Sequence, residues 1–455
     1  MFLRQKLYNL NIMKLSFHGG TRRVTGACYL LETSESKILV DCGLFQDCEE
    51  CSDLNFEPFK FKPSEIDFVF VTHAHVDHVG RIPRLVKEGF SGAIYSTAPT
   101  KDIAALILED AMRLEKRRHE DFYAPEDLEK AMKLWQSVPY GEVFSRNGLK
   151  FRFNEAGHIL GSAFVEIWAE ERHFLFTGDF GNTPSVLLPP PSSIKDMDYL
   201  IIESTYGNRT HEDSKEAMVK LERAMEDIVS RRGTLMIPAF AAERTQDILF
   251  LLNELLLFKR VPEIPVFVDS PLAISITGVF EKYPSLYRTE IQELFLKHPN
   301  LFRSRKLQFT ETVEESKKIN DVPPPKVIIA GSGMMAGGRI LHHARRYLSD
   351  PKSILLITGY QSGNSLGRRL LEGEKMVKIL GEEIVVEAEI RQISGFSAHA
   401  DSLQLFSFVE AARDNLKRVF VVQGEEEESL HFMQEIKDRL GIEAEAPTPH
   451  QEFEI

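Results

Sequence analysis

Three imidazoles and a carboxylate fall within six residues of this chain: His73, His75, Asp77 and His78, in Thr72-His73-Ala74-His75-Val76-Asp77-His78-Val79-Gly80. Imidazole nitrogen and carboxylate oxygen are the donors that borderline cations such as Zn²⁺ prefer. Gathering them in one turn lets them converge with little extra ordering. The apolar run Ile66 to Val71 just before them reads as a buried strand. Asp77 onward reads as a helix with Ile82, Leu85 and Val86 as its apolar stripe. A metal centre at a strand-to-helix junction is the chemistry this spacing points to. The competing reading is a polar loop with surface histidines.

Further candidates sit at other strand ends. Lys37 to Val40 reads as a strand ending at Asp41-Cys42-Gly43, and a carboxylate beside glycine at such an end commonly belongs to a functional loop. Lys150 to Asn154 is a strand followed by Gly157-His158-Ile159-Leu160-Gly161. Phe174 to Thr177 runs into Gly178-Asp179-Phe180-Gly181, and Asp198 to Glu203 into Ser204-Thr205. A lone His or Asp of this kind says little by itself.

From His211 to about Leu371 short strands alternate with helices: Leu235 to Pro238, Val266 to Val268, Lys326 to Ala330 and Ile354 to Gly359 are the strands. That alternation predicts a mainly parallel, doubly wound sheet. Ligands bind such sheets at the carboxyl ends of strands, where Arg244, Ser332 and the glycines after Ala330 would meet an anion. The glycine run lacks the lysine and hydroxyl residue of a P-loop, so nucleotide binding is the weaker reading. After Gly373 the chain turns strand-rich again, reaching Ser397-Ala398-His399 and then an amphipathic helix from Asp401. The tail after Ile442 is expected to be loose.

With 455 residues, 43% hydrophobic and 27% charged, the chain has the composition of a soluble globular protein of two or three domains. No stretch of apolar residues is long enough to span a membrane, and Met1 to Ile12 does not read as a secretory signal, so a cytoplasmic protein is expected. A net charge of −13 argues against non-specific coating of nucleic acid, but not against a local cationic groove or phosphate-binding metals. The basic run Arg113 to Arg118 reads as a solvated helix face before it reads as an RNA contact. The four cysteines all precede residue 52. Cys48 and Cys51 have the spacing of a small zinc or redox site, with free thiols the simpler reading.

His73-x-His75-x-Asp77-His78 after an apolar strand resembles the metal motif of the metallo-β-lactamase superfamily. The inserted strand–helix region followed by Phe396-Ser397-Ala398-His399 is similar to its β-CASP branch of RNA- and DNA-cutting nucleases, and the likeness extends over nearly the whole chain after Met13. It implies an α/β fold: an αβ/βα metallo-β-lactamase sandwich with an inserted doubly wound parallel-sheet β-CASP domain. The implied divisions are 13–206 for the first part of the sandwich, 207–372 for the insert and 373–455 for the second part. It implies a first metal held by His73, His75, His158 and Asp179, and a second held by Asp77, His78 and a bridging Asp179, so two Zn²⁺ per chain. It also gives Asp41 the task of orienting ligands.

The resemblance implies a metal-dependent ribonuclease acting on single-stranded RNA as an endonuclease, with 5′ exonuclease action as a further mode. Asp77 would bind metal and accept the proton of the attacking water. His399 would be the general acid, with Glu203 fixing its tautomer and raising its pKa. Arg244, Ser332, Arg339 and Ser397 would bind neighbouring phosphates; for the two arginines a helix-surface ion pair is the alternative. One departure stands out. Family members end the strand Arg418 to Val422 with a histidine that completes the second metal site, and this chain has Gln423 there. An amide oxygen is a poor zinc ligand beside imidazole, so the second site is expected to be weakened. His431 is too far along the chain to substitute easily. Gln423 also keeps open a weakly active or non-catalytic RNA-binding partner. A small-molecule hydrolase on the same fold is a third class. A homodimer is expected only by analogy with similar bacterial proteins.

Overall fold

The computed structural model describes residues 13–46, 51–115, 122–298, 300–303, 306–363 and 365–455. The expectations for Met1 to Ile12, for Cys48 of the Cys48–Cys51 pair and for the end of the basic run fall on residues outside these.

Two seven-stranded sheets face one another. The first runs, edge to edge, through Glu452–Glu454, Lys14–Gly19, Cys28–Glu32, Lys37–Val40, Phe68–Phe70, Ala93–Ser96 and Trp135–Ser137. The second runs through Ala444–Glu445, Arg418–Val422, Tyr199–Glu203, Arg172–Phe176, Ala163–Ala169, Leu149–Glu155 and Phe144–Arg146. Period-two alternation decides what each strand side buries. In Arg418–Val422, Phe420 and Val422 enter the core between the sheets beside Phe17, Phe70, Phe151 and Phe176. Val419 and Val421 face the other way, onto Phe406, Val409, Phe432 and Ile436 of the helices Ser402–Ala412 and Glu426–Leu440. The helices Ile82–Lys87 and Ala98–Glu115 cover the outer face of the first sheet. The αβ/βα sandwich follows from this two-sided burial.

The insert is a six-stranded sheet whose strands pair in parallel throughout, in the order Leu307–Phe309, Val266–Val268, Lys326–Ala330, Thr234–Pro238, Ile354–Ile357, Glu389–Gln392. Ser214–Arg231 and Arg244–Leu257 pack on one face, Ile340–Tyr347 and Leu366–Leu371 on the other. The sheet is doubly wound, as the alternation of short strands and helices implied.

Strand pairing carries the insert's sheet past residue 373: Glu389–Gln392 pairs with Ile354–Ile357, and the hairpin Met376–Ile379/Glu382–Val385 packs into the insert's core. Strand character alone cannot say which sheet a strand joins. The tail after Ile442 is not loose. Ala444–Glu445 extends the second sheet beside Val419 and Phe420, and Glu452–Glu454 pairs antiparallel with Lys14–Ser16.

The sandwich strands that precede the chemical residues end at one rim. Tyr199–Glu203 is parallel to both Arg172–Phe176 and Arg418–Val422, and Leu149–Glu155 shares their direction through the antiparallel Ala163–Ala169. Their carboxyl ends deliver His158, Asp179, Glu203 and Gln423. Lys37–Val40 and the parallel Phe68–Phe70 deliver Asp41 and the histidine motif from the facing sheet.

Candidate metal centre

After Phe68–Phe70 the chain runs through Val71 and Thr72 into a short helix, Val76–Val79. Gly43 makes room for that turn: a Cβ there would collide with the carbonyl of Asp77. Asp41 holds the turn from below, with a left-handed φ of 59°. Its carboxylate accepts from the Thr72 backbone N–H and hydroxyl, both at 2.8 Å, and lies 2.7 Å from His78 Nδ1. His78 therefore directs an Nδ1 proton at Asp41 and turns its Nε2 inward, the orienting service a buried carboxylate gives an imidazole.

Four donor atoms converge above this turn: those of His73, His75, His158 and Asp179, all within 4.8 Å of one another. His73 Nε2 is 3.1 Å from His75 Nδ1 and 3.3 Å from Asp179 Oδ2. His158 Nε2 is 3.3 Å from His75 Nδ1 and 3.2 Å from the same Asp179 oxygen. Such separations are the edges of a tetrahedron whose centre is about 2.0 Å from each corner, the length of Zn–N and Zn–O bonds. The outer ring nitrogens are partly anchored, His158 Nδ1 against the Ala398 carbonyl at 3.2 Å and His73 Nδ1 against Thr72 Oγ1 at 3.1 Å. Burial holds all three imidazoles below the ordinary histidine pKa, and neighbouring imidazoles add to it. They are neutral with lone pairs turned inward. Burial raises the pKa of Asp179, but His78 first and then His399 outweigh it and keep the carboxyl well below the usual carboxylate range. These residues fit a tetrahedral divalent cation.

Asp77 and His78 lie on the far side of Asp179. His78 Nε2 is 3.3 Å from Asp179 Oδ1 and 3.9 Å from Asp77 Oδ2. Between them stands Gln423, 1% exposed, whose Nε2 is 2.8 Å from His78 Nε2 and 2.6 Å from Asp179 Oδ1. Burial lowers the pKa of His78, but the flanking Asp179 and Asp41 outweigh it and hold it well above the ordinary value. The amide N–H aimed at Nε2 acts against a second proton there, because one nitrogen cannot both donate and accept.

His399 leans over the cradle, its ring centroid 4.6 Å from that of His158 and its Nε2 3.9 Å from Asp179 Oδ2. Its Nδ1 lies 3.0 and 3.1 Å from the two oxygens of Glu203, which is fully buried. Glu203 is fixed in turn by the backbone N–H groups of Phe180 and Thr205. Burial lowers the pKa of His399, but Glu203 first and Asp179 second reverse this and bring it to about 9.

Models of known families match three segments: the metallo-beta-lactamase superfamily over residues 21–231, the Beta-Casp domain over 245–370, and the Zn-dependent metallo-hydrolase RNA specificity domain over 383–447. Ribonuclease TTHA0252 of Thermus thermophilus is 39% identical across 92% of this chain and 94% of its own. The chain is a Beta-Casp member of the metallo-β-lactamase superfamily. It is also similar to an RNase J-like protein of Methanocaldococcus jannaschii, 33% identical over 95% of this chain and 97% of that one. The transcription termination factor FttA of Methanosarcina mazei is 32% identical over 94% of this chain and 70% of its own length. A crystal structure of a protein of unknown function from Enterococcus faecalis V583 shares the fold, with a TM-score of 0.56 at 13% identity over 98% of this chain and 100% of that one.

The Beta-Casp insert roofs a cleft over the metal cradle. His75, Asp77, His158, Asp179 and His399 form its floor, and Phe240, Glu243, Arg244, Met334 and Tyr360 come from the insert. Of the four residues expected to bind phosphate, Arg244 and Ser397 reach this cleft. Arg244 is buried and 3.3 Å from Asp247. The other two are engaged elsewhere. Arg339 bonds Asp269 at 2.7 Å and the carbonyls of Thr310 and Glu311, so its guanidinium fastens the insert's own loops. Ser332 Oγ bonds within its loop to Gly337. The ion-pair alternative holds for Arg339 because Asp269, fully buried, needs a cation more than an open cleft does.

Glu243 escaped the sequence reading. It lines the cleft at a φ of 66°, fully buried, and its carboxylate accepts from the Leu160 N–H in the loop that carries His158. Burial, then the nearby Asp247, pushes its pKa well above the ordinary carboxyl value. A lone Glu before a helix gives no sequence signal of that kind. No helix of the described residues is long and apolar enough to cross a membrane.

Proposed function

We propose that this chain is a zinc-dependent ribonuclease that hydrolyses phosphodiester bonds of single-stranded RNA in the cleft between sandwich and insert. One observation carries the reading. His399, fixed by Glu203, stands over a tetrahedral donor set with its Nε2 3.9 Å from Asp179 Oδ2. A general acid held above a metal cradle is what expulsion of an RNA oxygen needs, and a lactamase or thioesterase would lack both it and the roofing insert. The names of the relatives, two of them ribonucleases or like one, support the same substrate.

The cradle of His73, His75, His158 and Asp179 is the proposed zinc site. A cation bound there supplies Lewis acidity towards a phosphoryl oxygen and lowers the pKa of water. Asp77, half-buried at the cleft floor, is placed to accept the attacking water's proton. His399, protonated at neutral pH by virtue of Glu203, delivers its Nε2 proton to the leaving oxygen. Arg244 offers positive charge to a neighbouring phosphate, and Ser397, whose hydroxyl accepts the His399 N–H at 3.3 Å, holds the loop that presents the acid. Gln423 favours the second reading, a weakly active RNA-binding partner; every other ligand position favours the nuclease. A cytoplasmic location accords with the unbridged, buried Cys28 and Cys42. The homodimer rests on analogy and is checked by sedimentation velocity.

The deciding experiment is cleavage of a 5′-labelled single-stranded RNA by the protein and by His399→Ala, with and without chelator. Cutting that needs metal and His399 supports the proposal, and product lengths separate endonuclease from 5′ exonuclease action. No cutting by zinc-loaded wild type moves the reading to the RNA-binding partner.

A further inference from the structure

We infer that the side-chain amide of Gln423 takes the place of a second metal ion, so that the protein holds one catalytic metal per chain. The inference concerns what fills the site and is independent of which polymer the site cuts.

Two polar atoms face each other beside the cradle: His78 Nε2, turned inward because Asp41 holds Nδ1, and Asp179 Oδ1. An imidazole nitrogen and a carboxylate oxygen 3.3 Å apart in a buried site need a polar partner. A cation would satisfy both, and so would an NH₂ group with its two hydrogens. The Gln423 nitrogen lies 2.8 Å from the first and 2.6 Å from the second, so each hydrogen has one acceptor.

The orientation of the amide is decided by repulsion. Turned over, its oxygen would press against the Asp179 carboxylate at 2.6 Å, and a carboxylate oxygen only accepts. As placed, Gln423 Oε1 is buried without a hydrogen-bond partner among the described residues, which is the lesser penalty. The backbone reinforces the fit. Gln423 has a left-handed φ of 51°, and its N–H donates to the Gly20 carbonyl at 2.7 Å while its carbonyl accepts from Thr205 Oγ1 at 2.9 Å. The side chain is thus delivered to this point by a backbone fixed on both sides. To admit a cation, the amide would have to leave its two acceptors or rotate to present a neutral oxygen, a weak donor for zinc.

Asp179 is then divided between two tasks. Oδ2 belongs to the cradle with His73 and His158, and Oδ1 belongs to the amide. The donors that hold together as a metal set reflect this: His73, His75, His158 and Asp179 form one, whereas Asp77 and His78 join none among the described residues.

The test counts zinc. Metal-free wild type and Gln423→His, each checked for native unfolding behaviour, are equilibrated in zinc buffers, and bound zinc per chain is measured by elemental analysis. Histidine tolerates the left-handed backbone at this position better than most residues. One tight equivalent is expected in the wild type, with any second at least about 100-fold weaker, and two tight equivalents in Gln423→His. Two equivalents of similar affinity in the wild type overturn the inference, and so does a folded Gln423→His that still binds only one. Should the variant not fold, the wild-type count decides alone. Neither count depends on RNA cleavage, so an inactive protein that binds one zinc would fail the nuclease reading and leave this one standing.

Discussion

His399 and Glu203 are 196 positions apart in the chain, yet the imidazole Nδ1 lies 3.0 and 3.1 Å from the two carboxylate oxygens. The carboxylate arrives at the end of a buried strand, and the histidine on the segment that re-enters the sandwich after the insert. Their meeting joins the two parts of the sandwich across the insert, and it sets both the tautomer and the charge of the proposed acid.

Removing that charge has a directional effect. In Glu203→Gln the pKa of His399 falls from about 9, because its largest upward influence is lost. An acid catalyst works below its pKa and fails as pH rises through it, so the alkaline limb of RNA cleavage moves to lower pH. His399→Ala loses about 10²- to 10⁴-fold in kcat. The check is a pH–rate profile alongside zinc content, which both variants should retain.

Asp41 touches no substrate but pins Thr72, whose Oγ1 lies 3.1 Å from Nδ1 of the cradle ligand His73. Asn is nearly the same shape and tolerates the left-handed φ of 59°. Asp41→Asn should weaken zinc affinity about 10- to 100-fold, measured by competition with a chromophoric chelator, with little change in the thermal unfolding of the metal-free protein.

Glu243 ties the insert to the His158 loop through the Leu160 N–H at 3.1 Å. Held protonated by burial, it should tolerate Gln and not Ala. Glu243→Ala is expected to speed hydrogen exchange at Leu160 and its neighbours and to lower RNA cleavage, while Glu243→Gln stays close to wild type in both. Equal effects of the two would show that charge at this site, not the bond, is what counts.

The insert should weaken in acid. Burial raises the pKa of Asp269, but bonds from His343, Ser316, Thr310 and Arg339 outweigh it and hold it at about 2. A carboxyl depressed in the folded state contributes stability above its unfolded pKa, about 3.9, and loses it as pH falls towards 2. The contribution is about 2 kcal/mol. Urea unfolding between pH 5 and pH 2 should show that loss in the wild type and a flatter dependence in Asp269→Asn, which is also less stable at neutral pH.

How much was legible in the sequence varied with how local each feature is. His73, His75, Asp77 and His78 lie on one turn, so their spacing alone announced a metal site, and the short strands of the insert announced a parallel sheet. The sheet that Glu389–Gln392 joins, and the pairing of Glu452–Glu454, are not legible in the sequence, because strand pairing depends on which distant edge is open. Arg339 has the same chemistry as Arg244, yet one meets Asp269 and the other lines the cleft. Nothing in the composition of either helix start separates them.

The sequence by itself determined the ligand types and the parallel insert, since each is written in residue identity over a few neighbouring positions, and the departure at Gln423 showed only against the family the chain resembles. Only the tertiary structure decided that Gln423 lies 2.6 Å from Asp179 Oδ1 and that Glu203 grips His399. It also decided that Glu243 braces the loop behind His158. Those relationships join residues far apart in the chain through the register of buried strands, and register is fixed by packing between sheets.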